Sequence, residues 1–168
     1  MTLESILSRR SIRKFQDKSV PNELVTEILK AAMAAPSANN KQPWHFIVVK
    51  DKKHLQEIAK VHPYAKMASE AALAIIVCGD PGLEFAPGYW IQDCSAATQN
   101  ILLAAHELGL GAVWCGVYPR EERVKEIKEA FEIPDNIIPL NVIPIGYPGE
   151  EKGASNRYDP NRIHMNKW

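Results

Sequence analysis

The residues best equipped for chemistry lie near the start of the chain, in Arg9-Arg10-Ser11-Ile12-Arg13-Lys14-Phe15. Three guanidiniums, a hydroxyl and an ammonium fall within six residues. If the segment is extended, Arg9, Ser11 and Arg13 share one side, and Arg10, Ile12 and Lys14 share the other. That makes an anion comb about 13–14 Å long, at roughly 3.3 Å per residue. Guanidinium forks bond phosphate bidentately, and a serine hydroxyl adds a neutral donor. Such a row suits a ligand with a phosphate at one end and an electron-rich ring at the other. The same cluster also fits a solvated basic turn after a short helix.

A second stretch, Pro36-Ser37-Ala38-Asn39-Asn40-Lys41-Gln42-Pro43, is a loop by composition. Its hydroxyl and amide groups donate and accept without net charge, which suits the edge of a heteroaromatic ring. A plain polar turn between helix and strand has the same composition. Of the cysteines, Cys94 reads as packing in an alanine-rich helix, and Cys115 has no partner that would make it a nucleophile. The five histidines are scattered and form no H-x-x-x-H or H-E-x-x-H pair, so they read as surface or satisfied positions. Neither G-x-G-x-x-G nor a P-loop is present.

The elements that must hold these groups follow from periodicity. Thr2 is placed to cap a short helix through Ser8, with Leu3, Ile6 and Leu7 on its buried side. Pro21 stands at the opening of a second helix, whose stripe is Leu24, Val25, Ile28, Leu29, Ala32 and Met33. Trp44–Val49 and Ala72–Gly79 read as strands, with an Asp51-capped helix to Val61 between them. Tyr89–Leu108 is the longest helix, ended by Gly109. It has the length to span a bilayer, but Gln92, Asp93, Gln99, Asn100, His106 and Glu107 interrupt its apolar run. A third strand is expected over Gly111–Val117, a helix from Pro119 to Phe131, and a fourth strand over Leu140–Ile145. From Gly149 to Trp168 there is little periodicity, so an arm is expected there. Over residues 1–168 this predicts one domain, α+β or α/β, helix-rich, on a sheet of four or five strands.

At 168 residues and 46% apolar, the chain can build a full core. Lys plus Arg equals Asp plus Glu at 20 each, which argues against a dedicated nucleic-acid binder. Three spaced cysteines argue against a disulfide framework or zinc site and fit a reducing cytoplasm. Met1–Ser5 does not read as a signal peptide, so a cytoplasmic, non-membrane protein is expected.

Taken together, R-R-S-I-R-K-F, A-P-S-A-N-N-K-Q-P-W-H-F, G-L-G-A-V-W-C-G and R-Y-D-x-x-R-I-H resemble, in order, the motifs of the FMN-dependent nitroreductase family. The resemblance covers essentially the whole chain. It implies an α+β, three-layer homodimer around a mostly antiparallel sheet, with FMN at the subunit interface. By position it implies that Arg9, Ser11 and Arg157 hold the FMN phosphate, with Arg10 in the same motif but on the other side of an extended segment. Arg13 would sit at the pyrimidine edge. Pro36, Ser37 and Ala38 would border the ring from the other subunit, with Asn40 and Gln42 shaping that loop. Cys115 and Gly116 would bring a backbone N–H to the flavin N5. The implied activity is ping-pong electron transfer from NADH or NADPH to a small acceptor such as a nitroaromatic, quinone or activated double bond. A flavin-binding sensor or electron store with little turnover shares the same motifs.

Overall fold

A computed structural model describes residues 3–168. A five-stranded antiparallel sheet runs through its middle, in the order β1 (Trp44–Val49), β2 (Leu73–Gly79), β5 (Ile138–Gly146), β3 (Gly111–Ala112), with β4 (Cys115–Gly116) also on β5. Strand alternation divides the core in two. Leu73, Ile75 and Val77 of β2 face one side, where α2 (Asn22–Met33) and α4 (Tyr89–Glu107) pack. Ala74, Ile76 and Cys78 face the other, against α3 (Lys52–Val61) and α5 (Glu121–Ala130). Both faces of β2 are therefore covered, and every one of its residues is buried. This is the three-layer arrangement of helices, sheet and helices.

Local chemistry explains the elements. Pro21, with φ −56°, is already set for the start of α2, and Val25, Ile28 and Ala32 form its buried stripe. Asp51 caps α3 by accepting from the N–H groups of Lys53 and His54. Gly109 follows α4 in the left-handed region at φ 74°, and Leu110 N–H closes the end by donating to Ala105 O at 2.8 Å. Small Ala97, Ala104 and Ala105 let α4 lie close to α2, and Asn100 Nδ2 donates to Ala31 O between them at 2.9 Å.

Several expectations are corrected. The strand expected over Gly111–Val117 is two short strands, because Pro144 of β5 stands opposite the gap at Val113–Trp114 and offers no N–H to bridge it. The fourth strand is longer than Leu140–Ile145, and α5 begins at Glu121 rather than Pro119. Met33 is 54% exposed, one residue beyond the stripe that buries Ala32. Leu3, Ile6 and Leu7 of α1 (Leu3–Ser8) are not buried: they are 70%, 52% and 64% exposed, and only Ser5 of that helix is buried. The Thr2 cap lies outside the described residues. After Pro148 the chain has one 3₁₀ turn, Pro160–Arg162, and exposed Tyr158, Ile163, Met165 and Trp168.

Candidate active site

The basic segment is extended and laced to the sheet's edge. It leaves α1 through Arg9 N–H, which donates to Ser5 O at 3.2 Å. Ile12 is buried, and its N–H donates to Ala112 O of β3 at 3.0 Å. Gln16 N–H donates to Tyr147 O at 2.9 Å, and Gly149 N–H donates back to Lys14 O at 2.8 Å. The start of the arm then closes over the segment. Lys152 Nζ donates to Ser11 O at 2.7 Å, and Arg13 N–H donates to Glu150 Oε1 at 2.6 Å. The Arg13 N–H, and after it Lys152, hold the Glu150 carboxyl below its usual range.

This lacing sends neighbouring side chains different ways. Arg10 and Ile12 line one cleft of about 380 Å³, and Arg10 Nη1 donates to Gly153 O of the arm. Arg13 lines a second cleft, of about 500 Å³, together with Cys115 and Gly116 of β4. Arg9 points to neither. Its Nη1 is shut off from solvent and has no hydrogen-bond partner. Burial first, then the positive charges of Arg157 and Arg10, push the Arg9 guanidinium below its usual pKa. Arg157 of the arm therefore lies near enough for its charge to oppose that of Arg9, and the uncompensated charge calls for an anion.

The floor of the Arg13 cleft is cross-bonded. His62, fully buried, accepts at Nδ1 from Tyr64 N–H at 3.2 Å. Its proton is therefore on Nε2, which donates to Gly116 O at 2.9 Å. Arg123 Nη1 donates to the same oxygen at 3.2 Å, and its guanidinium rests 5.0 Å from the Tyr64 ring centre. Burial lowers the His62 pKa most, the Gly116 bond opposes this, and Arg123 lowers it further. Cys115 Sγ donates to Tyr64 O at 3.5 Å, and burial pushes its thiol up to about 11. That thiol is a packing group rather than a nucleophile.

The Pro36–Gln42 loop lies apart from this cleft within one chain, and none of its residues lines it. Asp93 of α4 anchors the loop: its buried Oδ1 accepts from Ala38 N–H at 2.9 Å. Ser37 Oγ accepts from Gln42 N–H at 3.0 Å, and Gln42 Nε2 donates to Asn40 Oδ1 at 2.8 Å. Asn39, Asn40 and Gln42 all have left-handed backbone, with φ 50°, 55° and 50°. Asparagine tolerates that region, while Gln42 is held there by the bonds around it. Pro36, Asn40 and Gln42 remain exposed, so the loop presents a fixed polar edge outward.

The description of the nitroreductase family matches residues 6–76 and 64–147. The chain belongs to the nitroreductase family. A protein of Methanothermobacter thermautotrophicus with the provisional name NADH dehydrogenase/NAD(P)H nitroreductase is 58% identical, over 99% of this chain and 87% of its own length. A crystal structure of a Parabacteroides distasonis protein of the same provisional name superposes with a TM-score of 0.95 at 46% identity, covering 99% of this chain and 98% of that one. An FMN-dependent nitroreductase of Clostridium difficile superposes with a TM-score of 0.93 at 36% identity, covering 99% of this chain and all of that one.

Beyond the motif residues, this nitroreductase-family chain places His62, Tyr64, Lys66 and Arg123 at the Arg13 cleft. Sequence reasoning missed their part in the site. His62-Pro63-Tyr64 follows the helix that ends at Val61, and Arg123 lies inside the helix expected from Pro119 to Phe131; neither carries a motif. The one available signal for Asp93 was a carboxylate inside an alanine-rich buried helix. Among the other histidines, His54 pairs with Asp51 at 3.0 Å, His106 with Ser8 Oγ at 2.8 Å, and His164 stacks on Trp168. Among the described residues no group of three or more His, Cys, Asp or Glu lies close enough to hold a metal ion, and no helix is long and apolar enough to cross a membrane.

Proposed function

We propose that this chain binds FMN and passes electrons from NADH or NADPH to a small acceptor. The observation that carries the reading is the buried, unpartnered Nη1 of Arg9 beside Arg157. A phosphate would satisfy that donor and offset the charges that oppose each other there. Arg9, Arg157 and the Ser11 hydroxyl would hold the phosphate. Arg10 is engaged with Gly153 and would chiefly steady the arm.

The ring would lie toward Arg13 and the Cys115–Gly116 peptide, which share one cleft. FMN, when bound, supplies the two-electron chemistry between the nicotinamide and a nitroaromatic, quinone or activated double bond. The Arg13 guanidinium offers positive charge where a reduced ring gathers negative charge. His62 and Arg123 together hold the Gly116 carbonyl, and so fix the peptide plane that follows the Gly116 N–H that would face N5. No protein acid–base pair is required, in keeping with buried thiols and a neutral His62.

The site would be completed by a second copy of the chain. Leu3, Ile6, Leu7 and Met33 form exposed apolar surface, and the arm carries Ile163, Met165 and Trp168 with no core beneath them. The outward Pro36–Gln42 edge, absent from its own chain's cleft, would border the ring bound by its partner. An obligate homodimer burying about 2,000–5,000 Å² would account for all three.

The test is anaerobic reduction of the FMN-loaded protein by NADH and by NADPH. Loss of the visible flavin absorbance within seconds with at least one nicotinamide, and its return on adding a nitroaromatic or quinone, is expected. A yellow protein indifferent to both nicotinamides would be a flavin store rather than this enzyme. Protein that takes up no FMN would overturn the reading altogether.

A further inference from the structure

Among the described residues Asp93 is the one buried carboxylate, 5% exposed near the start of α4. Its two oxygens differ. Oδ1 accepts from Ala38 N–H at 2.9 Å, whereas Oδ2 is shut off from solvent and has no hydrogen-bond partner. No lysine, arginine or histidine among the described residues forms an ion pair with it. Its charge is felt nearby: after burial, Asp93 is the next influence that pushes the Cys94 thiol up to about 12. A buried ion with neither counter-charge nor full hydrogen bonding is costly. A neutral asparagine would hold the Ala38 N–H without that cost, so the carboxylate points to a use for its charge.

The bond from Ala38 stands apart from the others in its loop. Asn40 N–H and Lys41 N–H donate to Ser37 O and Ala38 O, and the bonds of Gln42 go to Ser37 and Asn40. All of these stay inside Ser37–Gln42. Among the described residues, Ala38 N–H to Asp93 is the hydrogen bond that ties this stretch to another element. Just beyond it, Pro43 O accepts from Asp80 N–H at 2.8 Å. The left-handed residues Asn39, Asn40 and Gln42 lie between these two fastenings.

We infer that Asp93 acts across the subunit interface on the partner's flavin, by holding the loop that borders that ring and by placing a negative charge behind it that keeps the ring's reduction potential low. The inference rests on the flavin reading above, in which the outward loop completes the partner's site. Asp93 is a positioning residue and touches neither ring nor substrate. A buried charge is weakly screened, so it reaches farther than a surface charge does. Negative charge near the ring disfavours the reduced form, on which negative charge gathers. Arg13 of one chain and Asp93 of the other therefore act on one ring with opposite sign.

Two variants separate the loop from the charge. Asp93→Asn keeps an oxygen for the Ala38 N–H and removes the charge, whereas Asp93→Ala removes both. In FMN-free protein, amide hydrogen exchange within residues 36–43 should be about tenfold faster in Asp93→Ala and near the wild-type rate in Asp93→Asn. In FMN-loaded protein, Asp93→Asn should raise the midpoint potential, with reduced flavin gaining about tenfold over oxidised, which is about 30 mV in a two-electron couple. Mixed dimers of an Asp93→Asn chain with an Arg9→Ala chain test the action across the interface. At limiting FMN the flavin fills the site whose Arg9 is intact, and the loop there comes from the chain that keeps Asp93. That flavin should have the wild-type potential. A raised potential in the mixed dimer would place the action of Asp93 within its own chain and overturn the inference. So would an unchanged potential in the Asp93→Asn homodimer, or equal exchange in Asp93→Ala and wild type. Wild-type protein that holds no FMN refutes the flavin reading beneath it, whereas FMN-loaded dimers that fail these tests refute only the inference.

Discussion

The imidazole of His62 and the carbonyl of Gly116, 54 residues apart in sequence, meet at 2.9 Å beneath the Arg13 cleft. The bond ties the break after α3 to the short strand β4. With Tyr64 N–H donating to the other ring nitrogen, the neutral Nε2–H tautomer is the form that satisfies every partner.

That neutrality makes stability depend on pH. Burial holds the folded-state pKa of His62 below its unfolded value near 6.5. As pH falls below about 6.5 the unfolded chain takes up the proton first. The stabilisation from neutral His62 is thus fully present above that pH and is lost as pH falls toward the lowered folded value. Arg123 opposes protonation and Glu126 favours it, but burial is the largest influence. Thermal unfolding should show a fall in Tm between about pH 7 and pH 5 that is shallower in His62→Leu. At pH 7.5 that variant should lose about 1–3 kcal/mol, because Tyr64 N–H is left without its acceptor. Unchanged pH dependence in His62→Leu would refute the assignment.

The thiols should be inert in the folded protein. Burial pushes Cys115 up to about 11 and both Cys78 and Cys94 to about 12. At pH 8 roughly one Cys115 in a thousand is thiolate. Alkylation by iodoacetamide should be at least a hundredfold slower in native protein than in urea, followed by intact mass. Rapid native modification at Cys115 would show that the cleft floor opens.

Gly111 couples the sheet to the basic segment. A Cβ there would lie 2.7 Å from both Cβ and Cγ2 of Ile12, a branched side chain with no room to swing away. Gly111→Ala should therefore cost about 1–3 kcal/mol by overpacking. It should also weaken FMN binding, because the Ile12 N–H to Ala112 bond sets where Arg9 and Arg13 point. Gly79→Ala, with its Cβ 2.2 Å from Trp90 Cε3, should destabilise at least as much without acting on that segment. The two variants, compared for Tm and for FMN affinity, separate general destabilisation from displacement of the comb. Equal FMN affinities would show that the segment's position does not matter.

The arm divides into two parts with different duties. Glu150, Lys152 and Gly153 bond the basic segment of their own chain, whereas Arg157 approaches Arg9 and the residues beyond it expose apolar side chains. A chain ended after Ala154 should keep its fold, lose roughly tenfold or more in FMN affinity with Arg157, and dissociate more readily in sedimentation. Dimerisation and FMN affinity equal to those of the full chain would remove the arm from the site.

Much of this was legible in the sequence where one periodic pattern meets one buried surface. Val25, Ile28 and Ala32, the run Leu73–Gly79, and Gly109 after α4 each declare their element by side-chain spacing or backbone need. Misreadings came where a pattern meets no surface of its own chain or where a distant segment decides. Leu3, Ile6 and Leu7 have a core-like pattern, yet among the described residues nothing buries them. The split opposite Pro144 depends on a strand some 30 residues further on. The motif residues Arg9, Arg13, Cys115 and Gly116 could be picked out as a set, but His62 and Arg123 could not. Their common partner is a backbone carbonyl, which leaves no trace in residue type.

The most direct measurement is the midpoint potential of bound FMN in Arg9→Ala, Arg13→Ala and Arg13→Lys, by spectroelectrochemical titration under saturating FMN. Each alanine variant loses a charge-assisted bond, about 1.5–3 kcal/mol, so FMN affinity should fall roughly tenfold to a hundredfold in both. Affinity therefore does not tell the two arginines apart, but potential does. A phosphate contact favours oxidised and reduced flavin nearly equally, whereas a charge beside the ring favours the reduced form. Arg13→Ala should lower the potential by tens of millivolts, about 30 mV for each 1.4 kcal/mol of lost preference in a two-electron couple. Arg9→Ala should leave it nearly unchanged, and Arg13→Lys should keep most of it. Equal potentials in Arg9→Ala and Arg13→Ala would mean that the basic segment is only a phosphate clamp and that Arg13 does not face the ring.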